Sequence, residues 1–366
     1  MAETTAASAQ ANFDLAGALH EAEERYMAAN GRSRAAFEAA QKSMAGGNTR
    51  TVSYFSPFPV MMAKGEGCYL TDLDGHRYTD FVTEQTAGLY GHSNPAIIAA
   101  AKRALDGGIV LGAPTPHEGE LADLLTRRFP ALENVRFTNS GSEANMMALG
   151  TARAVTGRAK LMAFEGCYHG SFFTFAGKLT PFNAPFPVVL APYNDTERTL
   201  ALIEENAAEL AAVMVEPLVG GGGCIPADAE FLKMLRTATQ KHGILLIFDE
   251  VMTSRLGPGG LQKEYGVIPD MMSLGKYVGG GITFGAFGGR ADIMARFDPR
   301  RADAFPHNGT YNNNVLTMMA GVAGLKEVFT PEAAIAINEA GEAMRQRLNA
   351  TLARHGVPGE VTGRGP

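Results

Sequence analysis

The chain has 366 residues, 46% of them hydrophobic and 19% charged, with a formal net charge of −6. This is the composition of a globular protein large enough for one big domain and a smaller partner, and it excludes a disordered or fibrous chain. An acidic balance offers no field for nucleic acid or an anionic membrane, so the expected partners are small molecules or a second copy of the chain.

The opening MAETTAASAQ carries neither an apolar h-region nor arginines. It reads as a frayed start rather than a secretory or organellar signal, which makes the cytoplasm the default location. No apolar run approaches the ~18 residues that span a bilayer. From about 13 to 47, Glu, Arg and Ala dominate and predict solvated helix up to the break at Gly46-Gly47. Between Pro57 and Asp80, short β-like runs alternate with turns at Glu66-Gly67 and Asp74-Gly75, the pattern of hairpins. From about Asn94 to Gly289, the runs VRF, KLMAF, VVLAP, AAVMVEP, ILLIFDE and MMSLG alternate with amphipathic stretches. That alternation predicts an α/β domain with a mostly parallel sheet wrapped by helices.

One helix is marked at both ends: Asp228 as the cap, Phe231, Leu232 and Leu235 on one face, and Gly243 as the stop before a strand Ile244 to Phe248. Further on, Thr330-Pro331-Glu332 supplies a cap, a first-turn proline and an acid. Ile337, Met344, Leu348 and Leu352 then form an apolar stripe that a small domain would cover. The closing GVPGEVTGRGP reads as a turn and the start of a strand. Cys68, Cys167 and Cys224 are scattered, with no C-x-x-C pair, so neither a disulfide framework nor a metal site is expected.

Ligands of open α/β sheets collect beyond the carboxyl ends of the strands, where five segments carry chemistry. TNSGSEAN places Gly141 and Ser142 between a strand and a helix, where free N–H groups and the helix dipole favour a phosphate; a plain Ser140 or Ser142 cap would look the same. EGCYHG follows a strand with Tyr168, an aromatic able to lie on a ring, and His169, which on its own is as readily a packed histidine. VEPLVGGGG puts Glu216 at another strand end, where it could equally be half of a structural ion pair. FDEV closes an apolar strand with Asp249, suited to a pyridinium nitrogen but also to a metal or a helix cap; the chain contains no G-x-x-x-x-G-K-[ST] loop. SLGKYVGGG sets Lys276 just past a strand and before three glycines, where a buried amine would favour its neutral, nucleophilic form, although a lone lysine is as readily a surface charge.

In this order the motifs resemble the class III aminotransferases of the aspartate-aminotransferase fold (fold type I), from about Gly47 to about residue 330. FEGCYHG, LLIFDEVMTSR, LGKYVGGG and GAFGGR are similar to glutamate-1-semialdehyde aminomutases. NTRTVSYFSPFP, TAGLYGHS, DEVMTSRL and GTYNNN are closer to the aromatic β-amino acid aminotransferases, the branch we favour. The resemblance implies pyridoxal 5'-phosphate (PLP) held as a Schiff base on Lys276, which then shuttles the proton. It implies Asp249 on the pyridine nitrogen, Val251 and Tyr168 on the two ring faces, His169 among the cofactor contacts, Gly141 and Ser142 on the phosphate, and Glu216 beside the phenolic oxygen or the substrate. Thr310 in HNGTYNNN matches the threonine that reaches the neighbouring subunit's phosphate, which implies a homodimer. Arg50 matches the arginine that grips a substrate carboxylate, and Gln85 and Tyr90 fall where donor side chains are selected. Gln85 stands where an aromatic residue is expected.

By the same resemblance, residues 1–93 contribute to a small α+β domain, 94–328 form the large PLP-binding domain, and 329–366 begin a C-terminal part of the small domain that is incomplete here. The expected activity is transfer of an amino group from an amino acid, of the β class, to a 2-oxo acid. The rival expectations are an aminomutase, and an inactive truncated module that only binds PLP or dimerises.

Overall fold

The structure, a computed structural model, describes residues 14–176 and 181–365, so the expected frayed start lies outside the described residues. The chain divides into two compact units, Met1–Phe81 and Val82–Pro366.

The first unit contains helices α1 (Leu15–Ala29) and α2 (Gly31–Ala40) and an antiparallel sheet of β1 (Met62–Glu66), β2 (Tyr69–Asp72) and β3 (Arg77–Thr79). These are the helices and hairpins expected from the Gly-Gly break and the two turns. Asn30, the residue at the start of α2, makes no side-chain capping bond. Asp74, in the β2–β3 turn, does so instead, accepting from the N–H groups of Arg32 at 2.7 Å and Ser33 at 2.9 Å.

Asp72, just before that turn, is buried and takes bonds from the His76 N–H at 2.8 Å, His76 Nδ1 at 2.9 Å and Tyr78 Oη at 2.7 Å. Burial alone would raise its pKa, but these hydrogen bonds win and bring it down to about 2. A depressed carboxylate stabilises the fold above its unfolded pKa near 4, and that contribution disappears as pH falls through the folded value. Asp72→Asn should therefore cost about 1–2 kcal/mol at neutral pH and flatten the acid limb of a denaturation curve between about pH 4 and 2. An unchanged acid limb would refute the assignment.

In the second unit, α3 (Pro95–Gly107) and α4 (Pro116–Arg128) lead into β4 (Asn134–Thr138), α5 (Gly141–Thr156), β5 (Lys160–Phe164) and β6 (Val188–Ala191). After these come α6 (Thr196–Asn206), β7 (Leu210–Val215), α7 (Ala229–His242), β8 (Leu245–Asp249), α8 (Gly260–Tyr265), β9 (Met271–Gly275), β10 (Gly285–Gly289), α9 (Val315–Ala323) and α10 (Pro331–Arg354). Seven strands form one sheet in the order β4-β10-β9-β8-β7-β5-β6. All the pairings are parallel except those of β10, which runs antiparallel to both neighbours.

All six expected strands form; β10 was not anticipated. Its sequence, GAFGG, lacks the β-branched residues that mark strands. Glycine is required there by close approach: a Cβ on Gly285, Gly288 or Gly289 would overlap the carbonyl oxygens of Ser140, Asn134 or Asp270.

Side chains alternate across the sheet into two cores. Phe164, Val213, Val215, Leu246, Phe248 and Met272 join Phe231, Leu232 and Leu235 of α7 and Leu121 and Leu125 of α4. On the other face, Leu161, Ala163, Ala212, Met214, Leu245, Ile247 and Met271 pack on Ala144, Ala148, Leu149 and Ala152 of α5. Burial on both faces explains why these strands read as continuous apolar runs.

Two local expectations need correction. Asp228 is the cap residue of α7 by backbone geometry, yet its side chain makes no capping bond; Gly243, at φ 60°, ends the helix as expected. The closing segment forms no strand. Val361 exchanges bonds with the Asn349 side chain instead, N–H to Oδ1 at 2.8 Å and Nδ2 to carbonyl at 3.2 Å, so a side-chain amide takes the role a neighbouring strand would play. In α10, Thr330 caps as predicted, whereas Met344 and Leu348 of its apolar stripe are 53% and 44% exposed.

Candidate active site

The six parallel strands end on one edge of the sheet, and the polar segments follow there. Alternation along β8 sends Phe248 into the α7-side core and Asp249 to the α5 side. On that side Asn145, one turn into α5, donates from Nδ2 to Asp249 Oδ2 at 2.7 Å and to the His169 carbonyl at 3.0 Å. His169 Nδ1 is 2.8 Å from the same Oδ2, and Asp249 Oδ1 accepts from the Val251 N–H at 3.0 Å and the Ser273 hydroxyl at 3.4 Å. Asp249, Asn145 and His169 are all buried.

Register carries the lysine to the same place. Asp249 pairs with Ser273 across β8 and β9, and Lys276 follows three residues on, directly after Gly275. Its φ is +56°, a left-handed conformation that costs a non-glycine residue on the order of 1–2 kcal/mol, and such strain concentrates at functional positions. Nζ donates to the Gln85 carbonyl and, at 2.9 Å, to Thr86 Oγ1.

Ser140 caps the phosphate-type turn: its Oγ accepts from the Glu143 N–H at 3.2 Å, and Glu143 Oε2 reaches back to accept from the N–H of Asn139, the residue before the cap, at 2.8 Å. With Ser140 as the cap, the N–H groups of Gly141 and Ser142 open the helix without an intrahelical partner, and Ser142 Oγ lies against Gly170. Val251 sits against this turn. A Cβ on Gly141 would lie 2.8 Å from its γ carbons, and one on Gly275 would lie 2.9 Å from Cγ1.

Glu216, at the end of β7, is buried and accepts from the Tyr168 N–H at 2.8 Å. Burial, reinforced by the nearby Asp249 charge, pushes its pKa up to about 7 against the opposing pull of His169. Tyr168 above it keeps 48% of its surface exposed.

These groups fit PLP: an anion cup at Gly141–Ser142, a buried carboxylate for the ring nitrogen and a primary amine for the aldehyde. Two buried polar atoms in the same cluster, His169 Nε2 and Asn145 Oδ1, lack a protein hydrogen-bond partner, as expected where a polar heterocycle is to be seated.

Tyr90 packs edge-on against Tyr277 with ring centroids 6.1 Å apart, and its buried hydroxyl has no partner. Gln85 meets Lys276 through its backbone carbonyl. Thr310 is exposed on the wall of a cavity of about 370 Å³ shared with residues 109–115. Arg50 is an exposed residue of the first unit, just before the short helical turn Thr51–Ser53.

Sequence reasoning missed Asn145, Ser273, Thr86, Arg255 and Glu250. Asn145 lay inside a quoted motif, four residues beyond Gly141 and therefore on the same helix face. Glu250 is fully buried next to Asp249 and accepts from the N–H groups of Leu261 and Gln262 at 2.8 and 3.0 Å and from Thr253 Oγ1 at 3.2 Å. It ties the Asp249 loop to α8. Glu250→Ala strands those buried donors and should cost about 3 kcal/mol by denaturant titration; a loss under about 1 kcal/mol would contradict the anchoring role.

The model of the family Aminotransferase class-III matches residues 52–366. The chain belongs to the class III aminotransferases. It is 51% identical to the beta-phenylalanine transaminase of Variovorax paradoxus, over 95% of this chain and 80% of that one. The solved structure of the Variovorax paradoxus beta-phenylalanine aminotransferase superposes with a TM-score of 0.93, covering 96% of this chain and 81% of that one. The glutamate-1-semialdehyde 2,1-aminomutase of Methanocaldococcus jannaschii is 41% identical over 81% of this chain and 73% of that one. A transaminase solved with PLP bound is 36% identical with a TM-score of 0.88, covering 92% of this chain and 82% of that one. This aminotransferase is accordingly a PLP-dependent enzyme with the fold type I architecture expected from the sequence. Among the described residues, no helix is long and apolar enough to cross a membrane.

Proposed function

We propose that this aminotransferase takes the amino group of a β-amino acid such as β-phenylalanine and passes it to a 2-oxo acid, as a cytoplasmic homodimer. The observation that carries the residue roles is the β8–β9 register, which sets Lys276 three residues past the partner of Asp249. The β-amino acid donor rests on the 51% identity to a beta-phenylalanine transaminase.

When bound, PLP supplies an aldehyde carbon that bonds to amines and a ring that takes up electrons. Lys276 Nζ is the group that engages the aldehyde and takes the proton from the donor's amine-bearing carbon. Asp249 holds a proton on the ring nitrogen, and His169 and Asn145 fix its carboxylate in place. Gly141 and Ser142 bind the phosphate, while Val251 and Tyr168 cover the ring. Glu216, whose burial raises its pKa to about 7, shares a proton with the phenolic oxygen or the substrate.

The donor's carboxylate is assigned to the bidentate fork of Arg50. Gln85 borders the donor side chain, and Tyr90 acts through its packing on Tyr277, the residue after Lys276. Thr310 serves the phosphate of the partner protomer; its exposure, together with that of neighbouring Ile109, Val110 and Leu111, supports a covered face there.

A half-reaction screen tests this. PLP-loaded protein is mixed with β-phenylalanine, an ornithine-like amine or glutamate semialdehyde, and the cofactor absorbance is followed. β-Phenylalanine should convert the band, and Arg50→Ala should raise its KM about 10- to 100-fold with a smaller change in kcat. Turnover of glutamate semialdehyde without any 2-oxo acid would favour the aminomutase reading, which the 41% identity to such an enzyme keeps in view. Silence toward every amine would leave a non-catalytic PLP-binding module.

A further inference from the structure

Thr83, Glu84, Gln85 and Thr86 have φ values of 44°, 51°, 51° and 75°, a complete left-handed turn containing neither glycine nor asparagine. Backbone bonds within it run from the Gln85 N–H to the Val82 carbonyl at 2.9 Å and from the Gly88 N–H to the Thr83 carbonyl at 2.8 Å. Such a conformation persists only where its surroundings over-determine it. Arg255 and Lys276 contribute to this: Arg255 Nη1 donates to the Thr86 carbonyl at 3.1 Å, and Lys276 Nζ donates to the Gln85 carbonyl and Thr86 Oγ1. Arg255 is buried and anchored in turn, its carbonyl accepting from Asn338 Nδ2 at 2.9 Å.

We propose that this turn is the docking point for the free amine of Lys276: Thr86 Oγ1 and the Gln85 carbonyl hold Nζ whenever it is not bonded to the cofactor. The proposal rests on Lys276 being the cofactor lysine. A lysine that leaves and rejoins one carbon in every turnover needs a resting place that is directional but weak. The Gln85 carbonyl and the Thr86 hydroxyl accept from it and set its direction. Thr86 is then a positioning residue. Linkage makes the effect reciprocal: the amine steadies the turn as much as the turn steadies the amine.

The test uses the full chain freed of cofactor. Trace acylation with acetic anhydride, read by peptide mass spectrometry relative to the other lysines, should label Lys276 about three- to tenfold faster in Thr86→Val than in wild type, because one acceptor is gone. Thr86→Ser, which keeps the hydroxyl, should stay within about twofold. Equal labelling in Thr86→Val overturns the proposal.

Should Thr86→Val not fold, the converse arm decides: Lys276→Met removes the amine, and amide hydrogen exchange across residues 82–88 should rise about tenfold. Unchanged exchange overturns the docking. Borohydride reduction of the PLP-loaded wild type reads the underlying assignment separately. Cofactor fixed on another lysine removes that assignment, whereas cofactor fixed on Lys276 with unchanged acylation and exchange removes the docking alone.

Discussion

Lys276→Ala will lower transamination by at least about 10⁴-fold, the upper range for loss of a positioned acid–base group, because one amine both engages the cofactor and moves the proton. Structure makes the loss hard to compensate. Among the described residues the next position is Tyr277, fully buried in the core, and no neighbouring side chain supplies a second amine at the end of β9. The absorbance of the bound cofactor should change as well, since the protein no longer bonds to it. Stability should separate the two amine-free variants. Lys276→Gly relaxes a +56° φ and should be about 1 kcal/mol more stable than Lys276→Ala while remaining equally inactive. Steady-state kinetics and thermal unfolding of the two variants check both statements. Activity of Lys276→Ala within tenfold of wild type would remove the lysine from the chemistry.

Asp249→Asn will lower kcat by about 10³-fold, with a smaller change in the KM for the donor. The substitution preserves volume, removes the charge and turns one of the two acceptor oxygens into a donor. Four donors converge on this side chain, from Asn145, His169, Val251 and Ser273, so it is fixed in one orientation before any ligand arrives. A preorganised carboxylate stabilises positive charge on a ring nitrogen most where electrons accumulate in the ring, which is the transition state rather than the bound substrate. PLP should also bind more weakly, by about tenfold or more, as read by fluorescence titration of the apoprotein. A variant with wild-type kcat would show that the ring nitrogen is not served by this acid.

The pattern of success and failure along the chain has physical causes. The six parallel strands were legible because burial on both faces forces continuous apolar runs, and the polar segments at their ends stood out against them. β10 was hidden because its glycines serve close backbone approach instead of advertising strand propensity. The strand expected near Val361 did not form, since local β-like composition has no effect without a neighbouring strand to pair with. Asp228 had the right type for a cap, but whether its side chain bonds is a matter of rotamer and surroundings.

At the proposed site, residue types and order along the chain single out Lys276, Asp249, Ser142 and Glu216 as candidates, because ligand-facing groups of such a sheet follow its strands on one edge. Asn145, Thr86, Arg255 and Glu250 carry no such signal: an asparagine, a threonine, an arginine or a second acid has many ordinary uses, and only packing selects among them. Amino-acid sequence alone determined the class of chemistry, since that depends on which functional groups are present and in what order. Tertiary structure decided which donors hold Asp249 and where the Lys276 amine rests, because hydrogen bonds between residues 80 to 190 positions apart in the chain exist only once the sheet has set its register.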